Sequence, residues 1–104
     1  MDELLKEIAP LVASETQRAS KQYGDKYASA HEAEKELYKK VNSLRSDFYI
    51  LTDEGEWIQS AVLRSNILKV KDIASDMKKY ALNAAAEAIQ VAAACEKIAR
   101  GFEK

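Results

Sequence analysis

One proline (Pro10) and three glycines (Gly24, Gly55, Gly101) in 104 residues leave this chain few places to stop a helix. Helix breakers are what divide a chain into short elements, because proline lacks an amide hydrogen and glycine carries the largest entropic cost. Between the breakers the apolar residues recur at spacings of three and four, the period of an amphipathic helix. No alternating strand pattern and no internal repeat stands out. The expected class is all-α: a single domain over residues 1–104, built as a helical hairpin or a bundle of three to four helices, with a long alanine-rich helix at its C-terminal end.

The first segment runs from Asp2 to Tyr23, with Leu4, Leu5, Ile8, Leu11, Val12, Ala19 and Tyr23 on one face. Asp2, Glu3 and Glu7 stand near its start, where the helix dipole favours acids. Pro10 predicts a kink, or two short helices meeting at Ala9-Pro10. Ser29-Ala30-His31-Glu32 has the form of a capping box, with Ser29 and Glu32 as the cap residues. The helix that follows carries Leu37, Val41, Leu44, Phe48 and Leu51, and Thr52-Asp53-Glu54-Gly55 predicts its end. A short helix with Trp57, Ile58, Ala61 and Val62 comes next, then a turn near Ser65-Asn66. From there one long helix reaches Phe102, or residues 56–101 form a single helix without the turn. Its alanines leave a smooth surface that lets a neighbouring helix come close, so a central helix with more than one partner is expected.

Formal net charge is −1, which gives no electrostatic case for nucleic acid or a membrane surface. Residues 1–60 carry 8 basic and 12 acidic side chains, and residues 61–104 carry 8 and 5. Solvated surface accounts for this asymmetry more often than docking does. Cys95 is the single cysteine, so no internal disulfide forms, in keeping with a reducing compartment. The acidic start is unlike a signal peptide and no run is long enough to span a bilayer, so a soluble cytoplasmic protein is expected. A thin core in a chain this short makes a homo-oligomer, a dimer or higher, a natural way to bury more surface.

Few residues carry chemistry. His31 is the only histidine and belongs to the cap. Cys95 lies among alanines and reads as a small buried hydrophobe. Glu32 and Glu36 share a helix face, with Glu34 beside them. The usual meaning is a solvated surface with Glu36–Lys39 and Glu36–Lys40 pairs. Joined by Glu87 they would supply three oxygen ligands for magnesium. Glu87 stands out as an acid in an alanine-rich stretch, and a buried carboxylate needs a cation or a metal.

Tyr27-Ala28-Ser29-Ala30-His31-Glu32-Ala33 and Glu87-Ala88-Ile89-Gln90-Val91-Ala92-Ala93-Ala94 resemble stretches of small phage and prophage proteins related to MazG, the all-α nucleoside triphosphate pyrophosphohydrolases. The opening Leu4-Leu5-Lys6-Glu7-Ile8-Ala9-Pro10 is similar too. The resemblance implies a helical core that usually dimerises. In active members a Glu-Glu-x-x-Glu motif and a Glu-x-x-Asp motif hold magnesium, which bridges phosphate oxygens and activates water. Here the first motif falls on Lys39, Lys40, Val41, Asn42 and Ser43, and in the second Glu87 remains while Gln90 takes the aspartate position. Protonated lysines repel a cation, so the resemblance implies a degenerate motif, no metal and no catalytic residue. Lys39 or Lys40 would then pair with Glu87 where the metal stood, or contact the phosphates of a bound nucleotide. The expected function is a non-catalytic structural or interaction module of phage or prophage origin. Two alternatives stand beside it: a magnesium-dependent nucleoside triphosphate pyrophosphohydrolase using Glu32, Glu36 and Glu87, and a helical adaptor unrelated to MazG.

Overall fold

A computed structural model describes residues 1–103 as three helices: α1 (Asp2–Tyr23), α2 (Ala30–Leu63) and α3 (Ile67–Ala99). Helix formation runs through two of the expected breakpoints. α1 continues past Pro10, which lies on its exposed side. One amide bond is lost there, but the face bearing Ile8, Val12 and Thr16 is held against a neighbour, and tertiary packing outweighs local propensity. α2 likewise runs through Thr52-Asp53-Glu54-Gly55, so the separate helix expected around Trp57 is the last part of α2. Leu51 and Ile58, on either side of that stretch, are both drawn in from solvent, which holds the helix in phase across the glycine.

The turn at Ser65-Asn66 is present. Ser65 takes a left-handed conformation (φ 56°), and the Asn66 side chain caps α3 by accepting from the Lys69 amide at 3.1 Å. At the other end of α2 the Ser29 hydroxyl accepts from the Glu32 amide at 3.3 Å, half of the expected box. The Glu32 carboxylate reaches one residue further back than expected and accepts from the Ala28 amide at 3.0 Å.

A three-residue link forces α2 and α3 to run antiparallel, and they pack along their length. The contact follows a seven-residue repeat. On α2, Leu37, Leu44, Leu51 and Ile58 alternate with Ala33, Lys40, Asp47, Glu54 and Ala61, all of them buried or half-buried. On α3, Val70, Met77, Ala84, Val91 and Ile98 alternate with Ile73, Tyr80, Glu87 and Ala94, again all drawn in from solvent. A strict seven-residue repeat gives the narrow seam of a coiled coil rather than the broad face of a globular core.

α1 packs on the C-terminal part of α3 and makes no helix–helix contact with α2. The Thr16 hydroxyl sits 2.9 Å from both the Val12 carbonyl and a Glu96 carboxylate oxygen, and Arg100 donates to the Ser20 hydroxyl at 3.0 Å. Both contacts between the helices step by four in the same sense, so α1 runs parallel to α3. The C-terminal tail folds onto the link between α1 and α2, where the Glu103 amide donates to the Tyr27 carbonyl at 3.0 Å.

The result is an open row, α1–α3–α2, measuring 59 × 29 × 21 Å. Its radius of gyration is 17.7 Å, against about 13 Å for a compact domain of this length. Its accessible surface is 7711 Å², where a compact monomer of this mass exposes about 5,800 Å². The buried apolar residues are Tyr27, Ile73 and five alanines. Cys95 is exposed, not buried, because the alanine line on which it sits faces neither α1 nor α2. No helix among the described residues is long and apolar enough to cross a membrane.

Candidate functional site

The seam is apolar at its ends and acidic in its middle. Asp47, only 9% exposed, and Glu87 meet across it, and each has one carboxylate oxygen that is buried without a hydrogen-bond partner. Burial raises the Glu87 pKa, and the hydrogen bond and charge of Asp47 push it the same way, while the neighbouring Ser43 hydroxyl works against them. Both of the raising influences favour the neutral form of the Glu87 carboxyl. Glu54, one repeat further along α2, is a second acid buried on the same seam.

This arrangement overturns the expected lysine–Glu87 pair. The Lys39 ammonium stands 3.8 Å from Glu36 on a side chain that is 77% exposed. Lys40 occupies the seam position one heptad before Asp47, about 10 Å away along the helix axis, so helical register sets an acid opposite Glu87 and not a lysine. Of Lys39, Lys40 and Ser43, it is Ser43 that lies beside Glu87.

A second cluster lies in the groove that opens because α1 and α2 do not touch. The groove has a volume of about 390 Å³. Glu15, Arg18 and Tyr23 of α1 form one wall and Glu32, Glu36 and Lys40 of α2 the other, with Gln90, Ala93, Ala94 and Lys97 of α3 along the floor. Lys97 is 8% exposed and holds its ammonium 4.2 Å from the centre of the Tyr27 ring, a cation–π contact that closes one end. Burial raises the Tyr27 pKa, helped by the charges of Glu36 and Glu32. On the opposite wall the hydrogen bonds between Arg18 and Glu15 lower the Glu15 pKa and raise that of Arg18.

The acids suggested for magnesium are thus divided. Glu32 and Glu36 line the groove, while Glu87 belongs to the seam with Asp47. Among the described residues no group of three or more His, Cys, Asp or Glu is placed to hold a metal. His31 is exposed at the start of α2. Asp47, Glu54, Lys97 and Tyr27 were not foreseen as a set. The signal for the two acids was available in the seven-residue run Ala33–Lys40–Asp47–Glu54–Ala61, which places both on the inner line of α2. Nothing local marks Lys97, which is buried through the ring of a residue seventy positions earlier.

No protein-family model matches this chain, and neither a curated protein nor a solved structure matches it.

Proposed function

We propose that this chain is a helical interaction module without catalytic machinery of its own, derived from the MazG-like proteins of phages or prophages and working in the cytoplasm. The observation that carries this reading is the open row of helices, with about 1,900 Å² more accessible surface than a compact monomer of this mass. Such a shape is unfavourable for a chain acting alone and suits one whose faces are covered by protein. The replacement of the motif acids by Lys39, Lys40, Ser43 and Gln90 supports the non-catalytic half of the reading. A free, exposed Cys95 suits a reducing compartment.

The meeting of Asp47 and Glu87 favours a second reading, a magnesium-dependent nucleoside triphosphate pyrophosphohydrolase whose acids have moved along the seam. Two carboxylates from facing helices could take a hard cation that keeps several of its waters. Calorimetry with magnesium and manganese, followed by a pyrophosphate-release assay on a panel of nucleoside triphosphates, separates the two. The interaction-module reading expects no saturable heat and no product. Saturable binding abolished by Asp47→Asn or Glu87→Gln, with pyrophosphate released, would replace it with the enzyme.

A further inference from the structure

The free end of the α2–α3 hairpin differs from the rest of the chain in both charge and exposure. Residues 57–71 contain Arg64, Lys69 and Lys71 and no acid, in a chain whose net charge is −1. All three cations are exposed, and the ion pairs among the described residues lie elsewhere. At the apex Leu63 is 80% exposed and Leu68 77%, with Val62 and Ile67 beside them. Trp57, the single tryptophan, is also exposed and stands about 9 Å further back along α2. Between the two helices lies a hollow of about 280 Å³, lined by Trp57, Ser60, Arg64, Asn66 and Lys69 over Ile73. The stems of Arg64 and Lys69 thus draw their charges back from the apex toward the indole. Asn66 caps α3, whose first turn holds no acid, so the positive end of the helix dipole adds to the field in the hollow.

We propose that this end of the hairpin docks on an anionic lipid surface, with Leu63 and Leu68 entering the acyl boundary and a lipid phosphate held in the hollow between Arg64 and Lys69. The inference goes beyond the interaction-module reading and uses none of the residues on which that reading rests. Charge complementarity carries it: three unpaired cations and a helix N-terminus converge where the whole-chain charge gives no hint of them. Width argues against a protein partner. Two helices side by side measure about 10 × 20 Å across their end, whereas a standard interface takes about 800 Å² from each partner. Lipid asks for depth instead, about 5–10 Å into the boundary between headgroups and acyl chains. The apex reaches that far beyond Trp57, and tryptophan itself favours the level of the headgroups. The turn is fit to enter this layer. The Arg64, Ser65 and Asn66 amides donate to the Ser60, Val62 and Ala61 carbonyls at 3.1, 3.0 and 2.9 Å, and the Lys69 amide donates to the Asn66 side chain at 3.1 Å. Amides that keep their partners leave water without being stripped of hydrogen bonds. The contact is with the surface, since no helix among the described residues is long and apolar enough to cross.

Trp57 reports on its own insertion. The full chain is titrated with vesicles of phosphatidylcholine mixed with phosphatidylglycerol, and with vesicles of phosphatidylcholine alone, following tryptophan emission and cosedimentation. The expected result is a blue shift and cosedimentation with the anionic vesicles. Arg64→Gln, Lys69→Gln and Lys71→Gln together weaken that binding about a hundredfold, since each cation near an anionic surface contributes severalfold. Leu63→Gln with Leu68→Gln weakens it at least about tenfold. Lys21→Gln, in the last turn of α1 at the far end of the molecule, leaves it unchanged. Circular dichroism is the folding control, and the substituted side chains are exposed, so helicity is retained. Absence of binding to either vesicle overturns the proposal, and so does equal binding to both. Inorganic phosphate that shifts the emission as fully as anionic vesicles do would make the hollow a site for a free anion and overturn the lipid. A blue shift that grows with protein concentration in the absence of vesicles would mean that a second copy covers the apex, which overturns it as well.

Discussion

The two halves of the α2–α3 hairpin share one repeat and are held in different ways. Near the chain termini, α1 braces α3, the C-terminal tail closes on Tyr27, and Lys97 is buried over an aromatic ring. Toward the Ser65-Asn66 turn, each helix has only the other. That distal part exposes Trp57, Val62, Leu63, Ile67 and Leu68, and carries Glu54 on its buried line. A coiled-coil seam is enough to fix two helices in register, but one seam buries little. The proximal half gains its order from contacts distant in sequence, whereas the distal half depends on a seam interrupted by charge. Its amides should therefore exchange with solvent faster than those of the proximal half.

The sharpest way to break this contrast is to remove the proximal anchor. Tyr27→Ala takes away a side chain that is 6% exposed and the ring beneath Lys97, and should cost about 3–5 kcal/mol in chemical denaturation. The whole molecule should lose stability, because the tail and the start of α2 meet at this residue. Ile73→Ala removes the one large aliphatic buried in the distal half. It should fall toward the low end of about 2–5 kcal/mol, since an unbraced arm relaxes around the cavity. Hydrogen exchange should show the loss confined to residues 48–82 for Ile73→Ala and spread along all three helices for Tyr27→Ala. Equal spreading for both would mean that the hairpin opens as one unit.

Gly24→Ala acts on the brace itself. Gly24 follows α1 with φ 93° and ψ 164°, a region that only glycine enters freely, and nothing lies within 4 Å of an added Cβ. The cost is therefore backbone strain alone, about 1–3 kcal/mol. It should appear as faster exchange in α1 with the distal seam unchanged.

The acidic middle of the seam gives a smaller effect of opposite sign. The Glu87 pKa is higher in the folded chain than in the unfolded one, so between the two values the folded state holds more protons. Stability from this group is complete below the unfolded value and is lost as pH rises through the folded one. Glu87→Gln should flatten that fall and raise stability at pH 7 by about 1 kcal/mol, because it removes a charge from a place where it has no counterion. Thermal melts from pH 4 to pH 8 measure it. A Glu87→Gln chain whose stability falls with pH as steeply as the native chain's would mean that Glu87 does not set that fall.

The fold class and the turn at Ser65-Asn66 were legible in the sequence because helical spacing and a capping asparagine are local signals. The continuity of α2 through Gly55 was not, since what holds it is the pairing of Leu51 and Ile58 against a distant helix. The candidate site divides in the same way. Glu87 was conspicuous as an acid among alanines, but its companion depended on the register between two helices. Reading α2 for its apolar side chains draws attention to Val41 and Phe48, which are the outer flank. The inner line is marked by seven-residue spacing alone, and it includes the very acids that an apolar pattern passes over. The open row was illegible for a related reason: composition gives the amount of apolar surface but not which helix covers it.

Lys39→Met should have the smallest effect of all, and it bears directly on what stands beside Glu87 in the seam. If a lysine neutralised Glu87, methionine at that position would strand a buried carboxylate and cost about 3–5 kcal/mol. Lys39 instead faces solvent and meets Glu36 at 3.8 Å, and an exposed pair of this kind contributes about 0–1 kcal/mol. The expected change in thermal midpoint is near zero, with the pH dependence of stability unaltered, since Glu87 keeps Asp47 and Ser43 as neighbours. A large loss, relieved by adding Glu87→Gln, would restore the lysine to the seam beside Glu87. Without that loss, Glu87 faces Asp47 where the resemblance led one to expect a cation, and its raised pKa reflects that company.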